Sequence, residues 1–326
     1  MKILVVGGAG YVGTSLVCTL MARGHGVTVV DLFWFGNHLP DKGIAQQRDL
    51  MTLTVEELQP FDVVVFLAGL SNDPMADFSP ARNFVENAAA PGYLCYAARR
   101  AGVRRFVYAS SCSVYGFTQG DPQDESAPTL SEYPYGISKL QGERACRNLA
   151  SDGFSVIALR KGTVCGVSPR MRFDLLLNTM FKTAMVEGVI RVNNPKIWRP
   201  VLAIEDAVDA YVKAIEAPLE ISGTFNLASV NVTVGQAAEQ VMFGLRAHLG
   251  RNIRLELHQR NDVRNYRVDW SLIERSLGFS ARHNVATIVA SLCRHYGDQS
   301  NFENDAYYNI RTFQNLESGA MQASAR

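Results

Sequence analysis

Apolar residues in the first half of the chain fall into short blocks of strand length, separated by stretches with helical spacing. Ile3 to Val6 is one such block. Gly7-Gly8-Ala9-Gly10 ends it, and Tyr11 to Arg23 predicts a helix with Val12, Leu16, Val17 and Leu20 on one face. Gly24 and Gly26 close that helix. Val27 to Val30 predicts a second strand, ending in Asp31. Further strands are predicted at Asp62 to Leu67, Arg105 to Ala109 and Ser155 to Leu159, and helices at about Arg82 to Arg100 and Tyr135 to Leu149. Pro91-Gly92 lies inside the first of these helices and predicts a kink or break there, because proline has no amide proton to donate. Strands apolar on both faces and alternating with helices imply a parallel sheet covered on both sides, with right-handed crossovers.

After about residue 167 the pattern is mixed. Thr233-Val234-Gly235-Gln236 has capping-box spacing and predicts a helix to about Leu249. Ile253 to Leu257 is strand-like. Asp269 can cap a short helix that Gly278 stops. From Gly297 onward the chain is polar, which predicts a loosely held tail or an oligomer arm.

Composition narrows the class. With 47% hydrophobic and 19% charged residues, the chain has ample apolar material for a core and is not a disordered sequence. The formal net charge is +1, so no basic excess exists to drive nucleic-acid binding. No stretch approaches 18 uninterrupted apolar residues, so neither a signal peptide nor a membrane span is expected. The six histidines lack metal-ligand spacing, and no metal site is expected. The six cysteines contain no CxxC pair and read as reduced thiols of a cytoplasmic protein.

Gly7, Gly10 and Gly13 form G-x-x-G-x-x-G between the first strand and the first helix. A tight turn there lets backbone amides and the helix N-terminus face a pyrophosphate. A side chain at Gly7 or Gly10 would stand between backbone and phosphate, and Gly13 lets helix and strand pack closely. Asp31 ends the second strand, where its carboxylate can accept from the adenosine ribose hydroxyls and would repel a 2′-phosphate. NAD is therefore expected rather than NADP. Asp49 could accept from the adenine amino group.

Tyr135 and Lys139 are four residues apart at the start of a helix and share a face. Ser111 follows a strand whose C-terminal end should meet the cofactor crevice. With these residues the chain resembles the extended short-chain dehydrogenase/reductases of the nucleotide-sugar epimerase/dehydratase family, of the UDP-glucose 4-epimerase type. The resemblance rests on the glycine turn, Asp31, Leu67-Ala68-Gly69, Asn87, Ser110 to Gly116, Tyr135-Gly136-Ile137-Ser138-Lys139, Trp198-Arg199-Pro200 with Glu205-Asp206, and Asp262 to Tyr266. It reaches to about residue 295.

The resemblance implies an α/β fold, a Rossmann-type doubly wound parallel sheet with a smaller mixed α/β substrate-binding part. Residues 1–166 would bind NAD, with 201–227 returning to that sheet; 167–296 would bind the nucleotide sugar; 297–326 would be the tail. Tyr135 would be the general base, Lys139 the cation that lowers its pKa and holds the nicotinamide ribose, and Ser111 the group that orients the reacting hydroxyl. The implied cofactor contacts add Tyr11, Val12, Leu50, Leu67, Ala68, Gly69, Asn87 and Gly162. The implied substrate contacts are Ser113, Thr163, Asn178, Arg199 and Arg264, the last weighed evenly against Arg260. Ser168 to Phe173 resembles a loop near the substrate. Relatives of this kind are usually homodimers.

Some positions depart from the family pattern. Cys112 and Ser113 stand where 4,6-dehydratases carry an Asp-Glu pair, which argues against elimination of water, and Cys112 reads as a packing residue. Lys161 and Gly162 replace the usual aromatic pair, and Thr163 replaces an asparagine. The expected activity is an NAD-dependent nucleotide-sugar epimerase, acting at C4 through a transient 4-keto sugar. The alternatives are a C4 dehydrogenase that releases the 4-keto sugar, and a catalytically silent NAD-binding regulator on the same fold.

Overall fold

The structure is a computed structural model that describes residues 1–118, 120–259, 265–299 and 301–324. Its strands are β1 (Lys2–Val6), β2 (Gly26–Asp31), β3 (Ala45–Gln47), β4 (Val63–Phe66), β5 (Arg105–Ser111), β6 (Ser155–Lys161), β7 (Thr163–Cys165), β8 (Val189–Asn193), β9 (Trp198–Ala203), β10 (Gly223–Leu227), β11 (Val230–Thr233) and β12 (Arg254–His258). Seven of them form one sheet in the order β10-β6-β5-β4-β1-β2-β3, and every pairing in it is parallel. The pleat sends alternate residues to opposite faces. Ile3 and Val5 of β1 join Val65, Val107 and Ile157 in one core, while Leu4 and Val6 join Val64, Phe66 and Phe106 in the other. This is why the strands read as unbroken apolar runs.

The chain leaves β1 toward β2 and β3, then returns to place β4 on the other side of β1. That reversal opens a crevice at the C-terminal ends of β1 and β4. The first of the two cores continues without interruption into the later part of the chain, through Phe181, Leu202, Tyr211 and Val241. β10 adds an edge to the main sheet, while β11-β9-β7 and β12-β8 form two small sheets.

Local expectations meet their test here. Thr233 and Gln236 form the reciprocal capping box that opens the Val234–Leu249 helix. Asp269 accepts from Ser271 N at 2.7 Å, and the Ser271–Leu277 helix ends at Gly278 with φ +62°. The break expected at Pro91-Gly92 lies earlier. A widened turn at Val85–Ala89 separates Pro80–Phe84 from Ala90–Ala101. Pro91 has no N–H for the carbonyl of Asn87, and that carbonyl instead accepts from Tyr108 OH at 3.0 Å.

The C-terminal expectation is corrected. A helix spans Asn309–Ser324, and Phe302, Tyr308 and Phe313 are buried. Phe313 packs with Leu70 and Met75 and against Trp34 and Phe78. These few apolar residues are too sparse to make a pattern in sequence, but they dock on loops already formed.

One buried polar network fixes the helix Pro134–Arg147 against the sheet. Arg160 Nη2 donates to Glu143 Oε1 at 2.7 Å, Ser110 Oγ donates to Glu143 Oε2 at 2.6 Å, and Arg160 Nη1 donates to Tyr115 OH at 2.8 Å. Both ions are buried. Removing one partner of such a pair strands the other charge at a cost of about 3–5 kcal/mol. Glu143→Ala should lose that much stability in urea unfolding; a loss under about 1 kcal/mol would show that Arg160 finds water or another partner.

Candidate active site

The glycine turn forms because nothing larger fits. Gly7 has φ +77°, and a Cβ there would lie 2.5 Å from Ala68 N, on the loop after β4. The clash is with protein backbone, so the constraint at Gly7 is the approach of two strand ends rather than a phosphate. A Cβ at Gly13 would lie 2.6 Å from Gly8 O, as the packing argument requires. Gly10 has only Gly7 O near its Cβ position, at 3.2 Å, and keeps the role of leaving the turn open.

A cavity of about 440 Å³ lies over this turn. Its wall includes Gly7, Gly10, Tyr11, Val12, Gly13, Asp31, Asp49, Leu50, Leu67, Ala68, Gly69, Ser111, Ser113, Tyr135, Gly162, Thr163 and Arg199. The crevice therefore brings together most of the residues expected from sequence. Asp31 accepts from Ala9 N at 3.0 Å and from Phe33 N at 2.8 Å, which ties the turn to the end of β2. Burial pushes its carboxyl up, against those hydrogen bonds and the nearby Arg170. A carboxylate has about four acceptor positions, so ribose hydroxyls remain possible partners. Asp49 lines the cavity and caps the next turn through Met51 N at 2.8 Å.

Three expected contacts stand off this wall, and each has a structural cause. Asn87 is fully buried; its amide donates to Leu70 O and to Asn83 Oδ1, both at 2.8 Å, and it braces the loop after β4 from behind. Asn178 is also fully buried. It accepts from Gly166 N at 3.1 Å and donates to Arg172 O at 2.8 Å and Tyr11 OH at 3.1 Å, so its amide holds the 166–172 loop. Lys139 is buried behind Tyr135, with Nζ donating to Ala109 O at 3.2 Å and lying 6.0 Å from the Tyr135 ring. Arg264 and Arg260 lie outside the described residues.

At the catalytic end, Ser113 Oγ donates to Ser111 Oγ at 2.9 Å, and the Ser111 hydroxyl is near enough to the Tyr135 phenol to oppose the rise in its pKa. Electrostatics correct a simple picture of a lysine-activated phenolate. Burial pushes the Tyr135 phenol up, the Asp73 carboxylate adds to this, and Ser111 and Arg172 oppose it. Burial pushes Lys139 down to about 7, with Lys161 repelling it as well. Lys161 is itself pushed down to about 8, by burial and then by Arg172. The free site thus holds a neutral phenol beside ammonium groups that shed their protons easily. Cys112 is fully buried, with Sγ 2.9 Å from Arg160 O and its thiol pushed up to about 12 by burial, as befits a packing residue.

Other wall residues escaped the sequence reading: Trp34, Phe35, Ser71, Asp73, Arg170, Arg172, Asp174 and Asn309. Arg170 and Arg172 lie in the segment 168–173, which stood out in sequence without a role. Asn309 lies in the tail and carried no local signal. Among the described residues no group of His, Cys, Asp or Glu is placed to hold a metal ion, and no helix is long and apolar enough to cross a membrane.

The residues present fit a dinucleotide. Gly7, Gly10 and Gly13 of the turn line the cavity, a helix starts at Tyr11 beside them, and the strand-end carboxylate of Asp31 lines the same cavity. Comparison with known proteins agrees. The family model described as "NAD dependent epimerase/dehydratase family" matches residues 3–228. The chain is similar to a UDP-glucose 4-epimerase of Lactobacillus helveticus, 25% identical over 318 residues that cover 89% of this chain and 96% of the relative. It is 30% identical over 248 residues to YtcB of Bacillus subtilis (strain 168), described as an uncharacterized UDP-glucose epimerase, covering 70% of this chain and 76% of the relative. Among solved structures, MoeE5 in complex with UDP-glucuronic acid and NAD superposes with a TM-score of 0.78 at 28% identity, covering 89% of this chain and 97% of MoeE5. The chain therefore belongs to the NAD-dependent epimerase/dehydratase family, and its cofactor is NAD.

Proposed function

We propose that this enzyme is an epimerase of UDP-sugars that inverts C4 through a transient 4-keto sugar. The observation that carries the reading is the hydroxyl pair of Ser111 and Tyr135 on the wall of the crevice, with Lys139 behind the phenol. The glycine turn and Asp31 would hold NAD, which when bound would supply a hydride acceptor for the sugar carbon and a positive charge that favours the phenolate. Tyr135 takes the proton of the C4 hydroxyl and later gives it back. Ser111 hydrogen-bonds the same oxygen and keeps it in line with the phenol. Lys139 stabilises the phenolate from behind. Arg199, also on the wall and 5.7 Å from the centre of the Tyr266 ring, would hold the diphosphate, together with Thr163 and Ser113 for the sugar. Cys112 is apolar in its surroundings and offers no acid for dehydration.

The reading extends to a homodimer. Phe84, Val85, Tyr93, Tyr96 and Ile137 are exposed on the packed helices Pro80–Phe84, Ala90–Ala101 and Pro134–Arg147 and on the turn between the first two. Exposed apolar side chains on helices that pack together suit a two-fold helix-pair interface. All six cysteines are free thiols, which suits the reducing cytoplasm.

Tyr135→Phe should lower turnover of UDP-glucose or UDP-glucuronic acid by about 10²–10⁴-fold, with bound NAD still counted by absorbance after denaturation. Unchanged turnover would overturn the mechanism, and net accumulation of NADH with a keto sugar would favour the dehydrogenase alternative. A second outcome concerns Lys161 in the NAD-free protein. Its folded pKa, about 8, is below the unfolded value, so the unfolded state holds more protons between about 8 and 10.5 and stability rises with pH across that window. Lys161→Met should raise stability at pH 7 by roughly 1–3 kcal/mol, and the gain should fade toward pH 10. A constant gain or a loss, read from melts across pH, would show that the lysine is not desolvated. Tyr96→Glu should convert the dimer to monomer in light scattering; a wild-type monomer would remove the dimer from the reading.

A further inference from the structure

Arg170 is 2% exposed, yet no carboxylate among the described residues lies within ion-pair distance of it. Its guanidinium lies 3.7 Å from the centre of the Phe35 ring, and Nη2 donates to Asn309 Oδ1. Its Nε is buried with no hydrogen-bond partner. Arg170 lines the cavity; burial and then the Arg172 cation destabilise its charge, and the Asp174 and Asp31 carboxylates oppose them. A desolvated guanidinium in the wall of a ligand cavity is stabilised by an anion, and its fork geometry matches phosphate oxygens.

The fixing of this side chain comes from the other end of the chain. Asn309 is 5% exposed and makes three ties: Oδ1 accepts from Arg170, Nδ2 donates to Ser71 Oγ at 2.6 Å, and the backbone N donates to Asp174 Oδ2 at 3.1 Å. Arg172 completes the knot through Asp174 and Ser71. The loop after β4, the loop after β7 and the C-terminal segment are thereby joined at one edge of the crevice.

We propose that Arg170, positioned by Asn309 of the C-terminal segment, is a second ligand for the diphosphate of the bound dinucleotide, acting with the glycine turn to retain it. The side chain stacks on Phe35 of the loop after β2, and Ser168, two residues earlier, donates to Tyr11 O at 2.6 Å at the start of the first helix, which places this loop on the dinucleotide side of the cavity. The proposal rests on the NAD assignment of the crevice and is independent of which sugar reaction follows.

The test is calorimetric titration of nucleotide-free protein with NAD, adenosine and UDP, on wild type, Arg170→Gln, Asn309→Ala and the double variant, with folding checked by thermal melt. In Arg170→Gln the Kd for NAD should rise about tenfold or more, with adenosine and UDP within about twofold of wild type. Asn309→Ala should weaken NAD several-fold, and the double variant should be no weaker than Arg170→Gln alone. An unchanged NAD affinity in folded Arg170→Gln overturns the proposal. A loss confined to UDP also overturns it, by assigning the cation to the substrate's diphosphate. If Arg170→Gln does not fold, Asn309→Ala decides, and unchanged NAD affinity there overturns it. A wild type that binds adenosine and UDP but not NAD would instead sink the dinucleotide assignment itself.

Discussion

The crevice exists because two strand ends meet where one of them has no side chain. β1 and β4 are neighbours in the sheet but belong to opposite halves of its winding. Gly7 leaves β1 with positive φ and lets its Cα approach the Ala68 backbone to a distance that no Cβ would tolerate. The helix that follows then starts at Tyr11 with its free amides turned toward the cavity. Asp31 ties the same turn to β2 through Ala9 N. Cofactor pocket, strand order and glycine spacing are thus consequences of one steric condition.

The catalytic end depends on a second condition, the burial of charge. Glu143 and Arg160 share an ion pair that pins the Pro134–Arg147 helix, and so sets where Tyr135 and Lys139 lie relative to Ser111. Lys139 and Lys161 have no such carboxylate within ion-pair distance among the described residues, and burial lowers the proton affinity of both. A site arranged in this way is poorly satisfied when empty of charge partners and better satisfied when a dinucleotide and a sugar diphosphate are present.

Sequence made the first half legible because its signals are local. A four-residue apolar block, a G-x-x-G-x-x-G turn and a Tyr/Lys pair at helical spacing are each contained within a few residues, and the structure brings the turn and Tyr135 to one wall, with Lys139 behind it. Asn87 and Asn178 misled for the opposite reason. Each lies in the right stretch, yet each is buried off the cavity wall and tied to a backbone group elsewhere in the chain: the Asn87 amide nitrogen donates to Leu70 O, and the Asn178 amide oxygen accepts from Gly166 N. The shift of the helix break from Pro91 to Val85–Ala89 has the same origin. Proline freed the Asn87 carbonyl, but the partner that fixed the geometry was Tyr108 on a neighbouring strand.

Periodicity, glycine spacing and the position of a few hydroxyl, amine and carboxyl groups by themselves determined a parallel α/β sheet, a dinucleotide turn and the chemistry available beside it. The tertiary structure alone decided which polar groups face the cavity, how far burial shifts their protons, and that the C-terminal segment docks on the crevice through Phe313 and Asn309. The physical reason is range. Secondary structure follows from backbone and side-chain preferences within a turn or two, whereas desolvation and hydrogen-bond satisfaction depend on everything packed around a group, here on residues as far apart as Ser71 and Asn309.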